Sequence, residues 1–173
     1  MKLPLHGSIK TRVLRMPLNY KDIKEETIKG RYVTDKDIDP FLNNLAKDFT
    51  IQTEGLSVEG RAIKSIVLGK GKLKILMWSQ MHGNESTTTK AVLDLINYFK
   101  SDSDLASSIL KNCTLKIVPI LNPDGAMAYT RVNANKVDLN RDAQERTQPE
   151  SVVLRKIYEN FKPDYCFNLH DQR

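Results

Sequence analysis

The 173-residue sequence holds only two cysteines, three histidines and one tryptophan. Two cysteines make no disulfide framework, which favours a reducing compartment. Cys113 and Cys166 both sit in apolar, strand-like runs and read as small hydrophobes. No window approaches the roughly 20 apolar residues that span a membrane, so no membrane partner is expected. Prolines, His6 and repeated charges interrupt the leader Met1 to Leu18 before it can form the apolar stretch of a signal peptide. A cytoplasmic location is therefore expected, and His6 is read as solvated. Internal repeats and low-complexity tracts are also missing.

Anionic residues are in deficit, with a net charge of +6. The excess is local. Residues 1–36 carry nine Lys/Arg against four Asp/Glu, while residues 37–173 carry eighteen against seventeen. No aromatic-basic interleaving or nucleic-acid motif accompanies the basic stretch, which excludes nucleic acid as an expected partner. We read residues 1–36 as a basic N-terminal extension, solvated or loosely docked, and residues 37–173 as a catalytic domain.

Periodicity supplies the elements. Asp37 precedes a helical pattern near residues 37–48 with Ile38, Phe41, Leu42 and Leu45 on one face and Pro40 in its first turn. Thr50 to Leu68 alternates loosely around Gly55 and Gly60, which predicts a two-strand hairpin. Leu73 to Trp78 and Thr114 to Leu121 read as buried strands. Between them Val92, Leu95, Ile96 and Phe99 repeat at helical spacing, and a shorter helix is expected near Leu105 to Leu110. Thr147-Gln148-Pro149-Glu150 reads as a capping box with proline at the first helical position. Leu154, Ile157, Tyr158 and Phe161 would form that helix's buried stripe, and Lys162-Pro163 would end it before a last strand from Tyr165. Strands separated by helices predict an α/β fold: a mixed, largely parallel central sheet with helices on both faces.

His82-Gly83-Asn84-Glu85 follows the run Leu73 to Trp78, and His170 follows Tyr165 to Leu169. Two imidazoles and one carboxylate suit a catalytic zinc site, which uses three protein ligands and leaves the fourth position for water. A lone His-x-x-Glu would more often be ordinary. Here both histidines end predicted strands, and ligands of such sheets bind beyond the carboxyl ends of the strands. The residues therefore read as a zinc hydrolase. Between the histidines lie Asn122-Pro123-Asp124-Gly125 and Asp138-Leu139-Asn140-Arg141, in a segment too long and polar to be a mere connector.

The order HxxE, NPDG, arginine, NR and H resembles the zinc carboxypeptidases of the carboxypeptidase A type, over roughly Leu73 to Arg173. The resemblance implies one Zn2+ ion held by His82, Glu85 and His170. It implies that Arg131 polarises the scissile carbonyl, that Asn140 and Arg141 hold the substrate's terminal carboxylate, and that Asp138 orients the first histidine. The implied partner is a peptide or small amide with a free carboxylate, hydrolysed at its C-terminal bond. In that family the general base is a glutamate downstream of the third ligand, and a substrate-capping tyrosine also lies downstream. The sequence ends at Arg173, before either. The expectation is an N-terminal part of the catalytic domain, incomplete at the C-terminus, with self-association through an unpaired sheet edge. Asp171 is the nearest other carboxylate to the third ligand. HGNE and DLNR also resemble acylases of the aspartoacylase and succinylglutamate desuccinylase type. A third reading is an inactive zinc-binding fragment.

Overall fold

A computed structural model describes residues 19–171. His6, the leader Met1 to Leu18 and Arg173 lie outside the described residues. Within the stretch read as a solvated or loosely docked extension, residues 19–36 lie against the main core. A single turn, α1 (Tyr20–Ile23), leads into a segment whose Ile28 and Val33 are buried in the main core. The Tyr20 hydroxyl and the Glu25 backbone N–H both donate to Asp94, at 2.9 and 2.7 Å. Two apolar side chains inside a charged stretch are enough to fasten it, because each buried aliphatic contributes about 1.5–3 kcal/mol.

Helix α2 (Asp35–Leu45) begins two residues earlier than expected. Thr34 is its N-cap, and Asp37 sits three residues on, accepting the Thr34 backbone N–H at 2.8 Å. Asp37 thus closes a capping box instead of preceding the helix. Pro40 falls beyond the first turn, and the helix continues through it to bury Ile38, Leu42 and Leu45.

The expected hairpin forms from β1 (Thr50–Leu56) and β2 (Ala62–Gly69), antiparallel, with Thr50 opposite Val67 and Leu56 opposite Ala62. Gly60, at φ 78°, supplies the left-handed residue of its turn. Strand β3 (Leu73–Trp78) is followed by α3 (Thr87–Lys100) and α4 (Asp104–Asn112), which return the chain to β4 (Cys113–Val118) parallel to β3. A short helix α5 (Pro123–Ala128), a single turn α6 (Leu139–Asp142) and α7 (Pro149–Phe161) precede β5 (Tyr165–Asn168), which pairs parallel to β3. The sheet order is β1-β2-β4-β3-β5. β2 runs against both of its neighbours, so the other four strands share one direction.

Alternation along the strands divides the core. On one face Ile66, Leu68, Leu115 and Ile117 pack with residues of α2, α3 and α4, among them Leu42, Leu93 and Ile96. On the other, Ile63, Leu76 and Val118 pack with Leu139, Val153 and Ile157. Helices thus cover both faces, as the pattern implies.

Two details of the last helix differ from the reading. Gln148, not Thr147, is the N-cap, and no capping box forms. The Thr147 hydroxyl instead donates to Asp142 at 2.5 Å, and Glu150 is wholly buried, accepting from Asn133 Nδ2 at 3.1 Å and from the Val58 N–H at 3.3 Å. The buried stripe is centred on Val153 and Ile157, leaving Tyr158 exposed under the Arg155 guanidinium. Cys166 is likewise exposed, on β5, the outermost strand of the sheet among the described residues. Among the described residues no helix is long and apolar enough to cross a membrane.

Candidate metal centre

The parallel strands β3, β4 and β5 all end at one edge of the sheet, and their carboxyl ends lead into the segments that carry His82, Asn122 and His170. Pairing continues past the strands proper. The Ser79 N–H donates to Val118 O at 3.0 Å, Asn122 N–H to Gln80 O at 3.1 Å, and Leu169 N–H to Trp78 O at 3.0 Å. A turn then closes with the Glu85 N–H on His82 O at 3.0 Å, which sets the imidazole and the carboxylate side by side.

The loop after β3 is held by groups that the sequence reading passed over. Gln80 is buried in a left-handed conformation, φ 48°. Its Nε2 donates to Val33 O (2.8 Å) and Gly83 O (2.7 Å), while its Oε1 accepts from the Thr89 hydroxyl (2.7 Å). All the polar atoms of that amide are therefore engaged. Gly83 lies directly against Gly125, and a Cβ on Gly83 would overlap the Gly125 carbonyl carbon and the Ala126 nitrogen. This backbone-to-backbone contact explains Gly83, whereas a Cβ on Gly125 would instead overlap the Asn122 amide and the Val132 carbonyl oxygen.

NPDG itself proves to be a clamp. Asn122 accepts the Gly125 N–H at 2.8 Å, capping α5, and donates from Nδ2 to Met81 O at 3.2 Å. Asp124 reaches the β1–β2 turn instead, accepting from the Ser57 hydroxyl (2.7 Å), the Glu59 N–H (3.0 Å) and Arg61 (2.6 Å). The polar pattern was readable, but the partners of Asp124 lie more than sixty residues away.

Glu85 stands between the two histidines. His82 Nδ1 lies 2.9 Å from Glu85 Oε1, and His170 Nδ1 lies 2.8 Å from Glu85 Oε2. The two imidazole rings are 4.8 Å apart. Burial raises the Glu85 carboxyl's pKa, but the hydrogen bond to His170, the charge and hydrogen bond of His82, and the Asp171 N–H outweigh it and leave it lowered. His82 Nε2 meets Asp138 Oδ1 at 3.0 Å. Burial raises the Asp138 pKa too, while its hydrogen bonds to His82, Arg131 and the Asn140 N–H bring it down on balance. Arg131 donates from Nε to Asp138 Oδ2 at 3.0 Å, and its Nη1 is 3.6 Å from Glu85 Oε1.

Asn140 and Arg141 occupy the one-turn helix α6, both exposed. Asn140 is tied to the strand end, accepting from Asn168 Nδ2 at 3.4 Å. The Arg141 guanidinium joins none of these bonds. Asp171 is committed elsewhere: its carboxylate accepts the Thr87 and Thr88 N–H groups at 3.3 and 3.2 Å, satisfying orphan donors at the start of α3.

One ligand atom from each of His82, Glu85 and His170 falls within 4.8 Å of the others, close enough to share a single ion. Nε2 of His170 is buried and has no hydrogen-bond partner among the described residues. A donor set of two imidazoles and one carboxylate fits zinc with an open position.

The sequence profile described as "Zinc carboxypeptidase" matches residues 38–168. The chain belongs to that family. Among curated relatives, a carboxypeptidase B of Astacus astacus is 36% identical over 101 residues, covering 54% of this chain and 33% of its own length. A carboxypeptidase 2 of Trichophyton tonsurans is 24% identical over 151 residues, covering 79% of this chain and 28% of its own. The fold is shared with a metallo-carboxypeptidase from Burkholderia cenocepacia, at a TM-score of 0.76 and 24% identity, over 81% of this chain and 41% of that one. This family member thus spans about a third or less of the length of these curated relatives and about two fifths of that structure.

Proposed function

We propose that this chain carries the metal-binding and carboxylate-binding part of a zinc-dependent carboxypeptidase site, with a peptide bearing a free C-terminal carboxylate as substrate. The observation that carries the reading is Glu85 set between His82 and His170, with Arg131 and Asp138 on the same cluster. His82, Glu85 and His170 hold one zinc ion, which supplies a Lewis acid and a water activated near neutral pH. Asp138 fixes the ring orientation of His82, as partners of metal-bound histidines do. Arg131 is half exposed beside Glu85. It donates to the scissile carbonyl oxygen as negative charge gathers there, a role whose loss typically costs about 10² to 10³ in rate. Arg141 and Asn140 grip the terminal carboxylate, for which a planar guanidinium offers two parallel donors.

Glu85 and Asp138 are committed within the cluster and Asp171 caps α3, so no carboxylate of the described cluster remains as general base. A base contributes about 10² to 10⁴ in rate, and turnover by this chain is expected to be slow. The test begins with zinc stoichiometry in the wild-type chain and in His170→Ala, where one equivalent and a large loss are expected. Peptides with free and with amidated C-termini then compete for the zinc-loaded protein, alongside N-acyl amino acids. Preference for the free peptide supports the reading. Equal binding of both peptides overturns it, and turnover of N-acyl amino acids alone overturns it in favour of an acylase.

The open side of β5 presents Tyr165 and Phe167 to solvent. We infer self-association along this edge, because an unpaired strand offers free backbone donors and acceptors. Sedimentation at increasing concentration tests it, and a monomer at all concentrations overturns it.

A further inference from the structure

Beside His170 opens a cleft of about 580 Å3 that no role above uses. Arg31, Asn84, Lys90, Tyr129 and Asp171 line it together with His170, whereas Arg131, Asn140 and Arg141 do not. A peptide held by its carboxylate at Asn140 and Arg141 would therefore enter this cleft with residues from the other side of the scissile bond. A second cleft, of about 560 Å3, continues past Lys90 along α3 and adds Lys24 and Lys29.

The charges along this path are unequal in availability. The acids keep their charge but are each tied by hydrogen bonds or an ion pair within the fold. Asp171 accepts two backbone N–H groups of α3, Asp94 accepts from Tyr20 and the Glu25 N–H, and Glu25 accepts from Thr27 and Asn97. Glu26 pairs with Lys24. Lys90 donates to a neutral oxygen, Gly30 O, at 2.8 Å. Neither Arg31 nor Lys90 forms an ion pair among the described residues. The exposed Tyr32 ring leans on Tyr129 at 4.5 Å between centroids, adding an apolar wall where the cleft meets the Gly30–Tyr32 segment. Arg31 lies before the stretch that matches the family, residues 38–168.

We propose that the Arg31–Lys90 cleft is a subsite for acidic residues immediately upstream of the scissile bond, directing the enzyme to peptides with acidic tails. This rests on the carboxypeptidase reading above. Cationic side chains near solvent contribute modestly, so the expected preference for acidic over neutral peptides is about three- to fivefold. It should weaken with salt.

The test uses three fluorescein-labelled peptides that share one C-terminal residue and carry Glu-Glu, Gln-Gln or Lys-Lys directly upstream. Their affinities for the zinc-loaded chain are read by anisotropy, with hydrolysis followed in parallel. Wild type should bind them in the order Glu-Glu, Gln-Gln, Lys-Lys. Arg31→Glu, an exposed substitution, should reverse the order, and Lys90→Gln should narrow it to less than about twofold. Thermal melts of both variants check that the fold is kept. An unchanged order in a folded Arg31→Glu protein overturns the subsite. Equal binding of all three peptides to wild type overturns the subsite while leaving the carboxypeptidase reading intact. Failure of all three to bind overturns both.

Discussion

His82 and His170 follow neighbouring parallel strands, yet they are held by different means. β3 lies between β4 and β5, and the loop after it is buried at Gln80, Met81, His82 and Glu85. Among the described residues β5 has one neighbour, and Tyr165 and Phe167 on it are 59% and 46% exposed. The first two candidate ligands are thus fixed by packing before any ion arrives. The third depends on a short edge strand, the Glu85 carboxylate and the cap that Asp171 provides to α3. A preformed pair and an adjustable third donor can divide the work of a metal site, with the pair setting geometry and the third governing retention.

Four substitutions test this division. Gly83→Val should be the most damaging, because its side chain meets backbone that cannot rotate away. A cost above about 4 kcal/mol in urea unfolding is expected, in the range of severe overpacking and backbone strain, with zinc uptake lost. Near-native stability would show that the loop is softer than described. Gln80→Glu comes next. A carboxylate would face the carbonyls of Val33 and Gly83 with no donor for either, costing about 2–4 kcal/mol. Denaturant midpoints check it, and a loss under 1 kcal/mol would remove Gln80 as the organiser of the loop.

Asp142→Asn probes the polar support at the end of α6, the turn that carries Asn140 and Arg141. Burial raises the Asp142 pKa, but the hydrogen bonds from the Thr147 hydroxyl and from the Thr147 and Gln148 N–H groups more than offset this and lower it. A lowered folded-state value means its contribution is complete above the unfolded value of about 3.9 and is lost as pH falls through the folded value. The variant should be less stable by about 1–3 kcal/mol at pH 7 and show a flatter acid limb in stability against pH. An acid limb identical to wild type would assign that dependence to other carboxylates. Phe167→Thr should have the smallest effect on the fold, within about 0.5 kcal/mol, as expected of exposed positions. It should nonetheless weaken any association seen by sedimentation.

The repeating patterns in the sequence carried most of the architecture. Ile38, Leu42 and Leu45 on α2, and Val92, Ile96 and Phe99 on α3, are buried where their spacing puts them. The strand ends that lead to His82 and His170 were equally readable, because an apolar run followed by a polar candidate ligand marks both. What the spacing could not convey were the partners of polar residues. Thr147 and Glu150 fit a capping box, yet Asp142 and Asn133 claim them in three dimensions. Asp124 looks like part of a catalytic motif and braces a distant hairpin. Gln80 left no periodic trace, since its value lies in meeting Val33, Gly83 and Thr89 at once. Ile28 and Val33 were hidden by the charges around them.

The contact of Gly83 with Gly125 also bears on the order of events during folding. It joins positions separated by α3, α4 and β4, so the loop bearing His82 and Glu85 takes its final shape only after that whole crossover has closed. Such long-range closure is slow and comes late on the path. An ion would then find its donors only in a chain already near its native form, delaying the protein's departure from that state more than hastening its arrival.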